Sequence, residues 1–233
     1  MQSTNPAAQP IASKIAAAPG LDTASADGVH VTTAARVLAG MHKEALVRYG
    51  PTGACWRMMS DEGPYLNGTD LAPFPLAFFS TGMVTSYMSE ILALARQRGI
   101  QIEDIELVQD NRYGMEGSAF HGTMIGSALP VELGVRIQSP VPRGELLRLV
   151  QHAVAASPAD ALLRNVLASE FSLTKNDSRV PVTQVRATEA EPPAAPGPLF
   201  DNAAACAASE YAENCITKFE AAQTLHGVEG GAG

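Results

Sequence analysis

Between Leu71 and Gly99 apolar residues recur at steps of three and four. Leu76, Phe79, Met83, Tyr87, Ile91 and Leu94 draw one stripe, and Phe78, Met88, Leu92 and Ala95 draw a second beside it. This pattern predicts one long helix, buried on more than one side and central to its domain. Pro73 and Pro75 suit its approach and first turn, where a missing N–H is harmless. Arg96, Arg98 and Gly99 end it. Its middle is small and hydroxyl-rich: Ser80, Thr81, Gly82, Thr85, Ser86 and Ser89. Small side chains let a backbone or a ligand come close, and each buried hydroxyl needs a partner.

On either side of this helix the period is two. Ala45 to Tyr49 and Ala54 to Ser60 flank the turn Gly50-Pro51-Thr52-Gly53 and read as a hairpin. Val29 to Gly40 is ambiguous. After Gly99, Ile100, Ile102, Ile105 and Leu107 mark a strand, and Asp110-Asn111 turns the chain. Tyr113 to Ile125 alternates and is read as a strand carrying His121. Val131, Leu133, Val135 and Ile137 face one way on the next, half-buried strand. Arg143 to Ala156 is a second helix, with Leu146, Leu149, Val150 and Ala153 inward. Ser157-Pro158-Ala159-Asp160 then starts a third, with serine as cap, proline at the first position and the acid at the positive end. Leu162, Leu163, Val166 and Leu167 continue it, and Phe171, Leu173 and Lys175 suggest a closing strand.

Composition adds boundaries. Residues 1–28 are rich in Ala, Pro, Ser and Thr and are expected to be a flexible arm. Residues 29–180 form the domain, 181–200 a Pro/Ala-rich linker, and 201–233 a weakly amphipathic helix and tail. The helix, over 201–225, is a candidate surface for a protein partner. The net charge is −8, with no basic stripe, which argues against nucleic-acid binding. No apolar run is long enough to span a membrane. Without a secretory pattern, and with only Cys55, Cys206 and Cys215, the expected setting is the cytoplasm, with no disulfide framework.

The order hairpin, long helix, three-stranded meander, helix pair and last strand resembles the OsmC/Ohr family of hydroperoxide-reducing proteins. The likeness spans roughly residues 44 to 176. In that family the first cysteine lies eleven residues after the proline that opens the central helix, with a glycine between; Pro75, Gly82 and Ser86 keep this spacing. The second cysteine precedes a proline at the start of a late helix, the place of Ser157-Pro158. Tyr113, Gly117-Ser118 and Gly122-Thr123 also look family-like. The resemblance implies an α+β fold, an antiparallel sheet wrapped around a long central helix, and an intertwined homodimer with pockets between subunits. It does not imply the activity. Both redox positions are serine, and Leu76 and Ala77 stand where a glutamate commonly follows the proline. Arg48 and Arg57 are candidates for the family's arginine. A thiolate reduces a peroxide by becoming a sulfenic acid, and a second thiol closes a disulfide; a serine hydroxyl follows neither step.

The expectation is therefore a non-peroxidatic cleft for a small, largely apolar organic molecule, with no cofactor and no metal. Phe78, Phe79, Met83 and Ser86 are its candidate ligand-binding residues. Ser86, Ser157 and His121 are the candidate catalytic residues. Against each stands a structural role: packing with a bond back to the preceding turn for Ser86, a helix cap for Ser157, and a satisfied sheet histidine for His121. Two alternatives are a serine-dependent hydrolase or lyase using Ser86, and an accessory subunit docking through its terminal arms. His152 is expected at the surface, Asp61, Glu62 and Asp70 in turns and caps, and Cys55 as a small buried hydrophobe. No His, Cys, Asp or Glu pair has metal-ligand spacing.

Overall fold

A computed structural model describes residues 11–18, 21, 29–118, 120–188 and 200. In chain order the elements are β1 (Ala12–Ile15), β2 (Val31–Val37), β3 (Lys43–Tyr49), β4 (Cys55–Ser60), α1 (Pro75–Arg98), β5 (Asp104–Asp110), β6 (Tyr113–Glu116), β7 (Ile125–Ala128), β8 (Glu132–Gln138), α2 (Arg143–Ala156), α3 (Pro158–Arg164), β9 (Glu170–Phe171), β10 (Leu173–Lys175), β11 (Ser178–Val180) and β12 (Arg186–Ala187). The fold is α+β, and its sheets are antiparallel except for the short β9–β12 pair. The described residues divide into two compact units, 11–75 with 168–200, and 76–167.

The first unit is built on a four-stranded sheet in the order β1-β4-β3-β2. The predicted hairpin is β3–β4, and the ambiguous stretch after Val29 contains edge strand β2, paired Val31↔Tyr49 to Val37↔Lys43. The flexible-arm expectation for residues 1–28 is corrected in one part: Ala12–Ile15 is a strand, with Ile15 opposite Cys55. The reason is tertiary. Ile15, Ala18 and Leu21 are buried against Leu46, Cys55 and Phe200, so an Ala- and Ser-rich segment is ordered by the surface it covers. Arg48 donates to the Leu21 carbonyl at 3.3 Å. β12 likewise falls inside the predicted linker. The helix predicted over 201–225, together with Cys206, Cys215 and His226, lies outside the described residues.

Hydrogen bonds pin the loop after β4 at its ends. Ser60 Oγ and the Asp61 N–H both donate to the Pro73 carbonyl, at 2.9 and 3.3 Å. Asp61 is buried, and its Oδ2 accepts from Thr69 N (2.9 Å), Thr69 Oγ1 (2.7 Å) and Leu71 N (3.3 Å). His42 Nε2 lies 3.2 Å from the same oxygen and 2.6 Å from Thr69 Oγ1. Burial by itself would raise the Asp61 pKa. The hydrogen bonds from the Thr69 hydroxyl and from backbone N–H groups of Glu62, Thr69 and Leu71 outweigh it, holding the carboxyl well below the usual carboxylate range. Asp61→Ala is expected to cost about 1–3 kcal/mol in a urea melt by stranding these donors. Because the folded pKa is depressed, the wild-type stabilisation is full above the unfolded value of about 4 and is lost as pH falls below it. The acid limb of a stability–pH curve should flatten in the variant.

The second unit is the helix-on-sheet core. Met83, Val84, Tyr87, Met88, Ile91 and Ala95 of α1 pack with Ile100, Leu107 of β5, and Leu149 and Ala153 of α2. β5 pairs with β8 along its whole length, Asp104↔Gln138 to Asp110↔Glu132. The expectation that α1 is buried on more than one side is corrected. Ser80 and the α1 residues of that core make one buried face, while Leu76, Phe79, Thr81, Gly82, Thr85 and Ser89 are exposed. The strand predicted from Tyr113 to Ile125 is instead a hairpin, β6–β7. Two glycines permit it: Gly117 has φ +100°, and a Cβ there would sit 2.2 Å from the Thr123 carbonyl oxygen, while Gly122 has φ +64°. α3 stops at Arg164, before Val166 and Leu167, over which the sequence pattern continues the helix, and Leu162, Leu163, Val166 and Leu167 are exposed.

Candidate ligand site

One helix break creates the site. The residue before a proline is pushed out of the helical region, and Ser157, preceding Pro158, has φ −66° and ψ 122°. Ser157 therefore closes α2 and caps α3 at once. Its N–H donates to the Ala153 and Val154 carbonyls, both at 3.1 Å, and its Oγ accepts from the Asp160 N–H at 3.3 Å. The side chain is 1% exposed.

That Oγ lies 2.8 Å from Ser86 Oγ on α1, 71 residues away in sequence. Neighbouring hydroxyls on α1 behave differently. Thr85 bonds back to the Thr81 carbonyl at 2.7 Å, and Ser89 to that of Thr85 at 2.9 Å. Ser86 reaches across to another helix instead of bonding to its own. The pair has two O–H donors, and their shared contact uses one. Whichever serine donates, the second O–H has no acceptor among the described residues.

Behind the pair sits a charged anchor. Tyr87 OH donates to Asp160 Oδ1 at 2.9 Å, and Arg164 Nε donates to Asp160 Oδ2. Arg164 Nη2 also holds the Ala155 carbonyl at 3.0 Å. Burial, and then the adjacent Asp160 carboxylate, push the Tyr87 phenol well above its ordinary pKa. It stays a neutral donor, and its contribution holds below pH about 10 and is lost as pH rises through the folded value. Tyr87→Phe is expected to cost about 1 kcal/mol and to remove that alkaline loss, read from melts between neutral and alkaline pH. The Asp160–Arg164 spacing of four was legible as a helix pair; the Tyr87 partner was not.

The other predicted site residues scatter. Met83 is 1% exposed inside the α1–β5–α2 core. The protomer's own packing covers it. Phe78 is half-buried and Phe79 is exposed. His121 is not on a strand. It is exposed in the β6–β7 loop, its N–H donating to Ser118 Oγ and its ring meeting Phe120 edge-on at 5.2 Å. Glycine-directed turning removed it from the alternating face on which the prediction rested. His152 is exposed, with Nδ1 2.8 Å from Arg98 Nη2. Cys55 is buried, its thiol 3.3 Å from the Gly53 carbonyl. Among the described residues no group of three His, Cys, Asp or Glu could hold a metal ion, and no helix is long and apolar enough to cross a membrane.

The chain is similar to an OsmC-like hydroperoxide resistance protein from Jannaschia sp. CCS1, at 20% identity and TM-score 0.42 over 65% of this chain and 97% of that one. It is similar to the organic hydroperoxide resistance protein OsmC from Legionella pneumophila, at 19% identity and TM-score 0.42 over 57% and 89%. It is also similar to an OsmC-like protein from Mycoplasma pneumoniae, at 15% identity and TM-score 0.43 over 60% and 89%. Its structural neighbours are OsmC/Ohr proteins. Hydroperoxide resistance is named for those proteins, whereas no family model and no curated protein matches this chain.

Proposed function

We propose that this protein binds a small, largely apolar organic molecule at a site centred on Ser86 and Ser157, as a homodimer and without thiol redox chemistry. The observation that carries this reading is the 2.8 Å contact between the two hydroxyls. It holds one polar point in place at the edge of an apolar core and keeps one O–H free for an acceptor. A ligand carrying a carbonyl, ester or ether oxygen suits a single neutral donor. The exposed face of α1, with Leu76, Phe79, Thr81, Gly82, Thr85 and Ser89, offers a second copy a flat, partly apolar contact. Binding is favoured over hydrolysis because Ser86 meets a hydroxyl, not a base. The carboxylate nearest in the network, that of Asp160, is engaged by Tyr87 and Arg164. A serine nucleophile needs a base in reach.

The test is native mass spectrometry of the full chain, expected to show a dimer with a bound small molecule. Added back at a hundredfold excess over its Kd, that molecule should stabilise the protein by about 2.7 kcal/mol. Ser86→Ala should abolish the effect while preserving the fold, since Ser157 still caps α3. Organic hydroperoxide reduction with a dithiol donor should stay at background, and robust turnover would overturn the proposal.

A further inference from the structure

Three strands of the first unit carry a row of charge that the site above does not use. Arg36 on β2 is directly opposite Glu44 on β3, and Arg57 on β4 lies diagonally beyond, opposite Leu46. Glu44 is buried. Its Oε1 accepts from Arg36 Nε at 2.6 Å, and its Oε2 lies 3.6 Å from Arg57 Nε. The carboxylate thus orients two guanidinium groups, and both meet one residue. Arg36 Cζ stands 4.7 Å over the centroid of the Phe200 ring. Arg57 Nη2 donates to the Phe200 carbonyl at 3.0 Å. The ring is 1% exposed, seated with Ile15, Ala18, Leu21, Leu46 and Cys55. One arginine reads the aromatic face, the other reads the backbone, and an apolar slot takes the edge.

We propose that the Arg36–Glu44–Arg57 row is a binding site for a single phenylalanine within a peptide segment, filled by Phe200 of this chain, and that its detachment uncovers Cys55. The occupant comes from far along the sequence, 143 residues from the arginine that holds its carbonyl. Residues 189–199 intervene between β12's neighbours and Phe200. Cys55 lies in the same cluster, so its thiol reports whether the slot is filled.

The experiment uses the full chain with Cys206→Ser and Cys215→Ser, so that Cys55 is the sole thiol, and measures labelling by a maleimide dye. Phe200→Ala is expected to speed labelling at least tenfold with unchanged circular dichroism. A synthetic peptide spanning residues 196–204 should restore protection in that variant, and the same peptide with alanine at the phenylalanine should not. Arg36→Gln, which keeps the phenylalanine in the chain but removes the cation over its ring, should loosen the ring and speed labelling about fivefold. An unchanged rate in natively folded Phe200→Ala overturns the proposal, and so does equal rescue by the alanine peptide. Should Phe200→Ala lose its native spectrum, Arg36→Gln decides: an unchanged labelling rate overturns it.

Discussion

A chain carrying Ser86→Cys and Ser157→Cys is expected to close a disulfide between the two helices under mild oxidation. The hydroxyl oxygens stand 2.8 Å apart, so sulfur atoms attached at the same β-carbons need little movement to reach bonding distance. The loop closed spans about 70 residues, and its closure should stabilise the oxidised form by about 4 kcal/mol over the reduced one. Counting free thiols before and after diamide treatment tests this, and paired melts give the stability difference. The oxidised variant should show two fewer thiols and a higher Tm. If both added thiols remain titratable in the native state, the facing geometry of the serine pair is wrong, and the proposed ligand site goes with it.

Ile91→Ala should be the most damaging simple truncation on α1, costing about 2–5 kcal/mol. Ile91 has no solvent exposure and sits among Tyr87, Met88, Leu107 and Leu149. Its removal leaves a cavity that a helix held against a strand pair and a second helix has little freedom to close. The control is Leu162→Ala on α3, where the side chain is 53% exposed and the cost should stay within about 0.5 kcal/mol. Urea melts of the two variants separate burial from hydrophobicity. Equal losses would mean that α3 is covered in solution, as by a second subunit, and would shift the interface towards Leu162–Leu167.

What was legible followed from local rules. Helix α2 was read from its apolar period, and the cap at Ser157 from serine, proline and an acid in sequence. The β3–β4 hairpin came from two alternating runs about a Gly-Pro-Thr-Gly turn. The pairing of Ser86 with Ser157 had no local signal; only a family resemblance suggested it, and the 2.8 Å contact supplies the geometry. The misreadings share a cause. β1 carries little apolar residue except Ile15, and it is a strand because β4 offers it a partner. The turn that displaces His121 is signalled by Gly117 and Gly122, both at positive φ, within an alternation that otherwise signals a strand. His42, Thr69 and Asp61 lie up to 27 residues apart, across a loop no periodicity describes. Glu44 and its two arginines look like ordinary strand polar residues until the register places them in line.

Ser157 finishes one helix and begins the next, so the same residue is a hinge pin between them. A guest carbonyl that accepts from its hydroxyl leaves the oxygen's lone pair to the Asp160 amide and polarises the hydroxyl in that bond's favour. The mechanical result is a stiffened first turn of α3, beside the Ala155 carbonyl that Arg164 grips. Amide deuterium uptake would register the visitor as slower exchange at Asp160, with the β5–β8 ladder left silent.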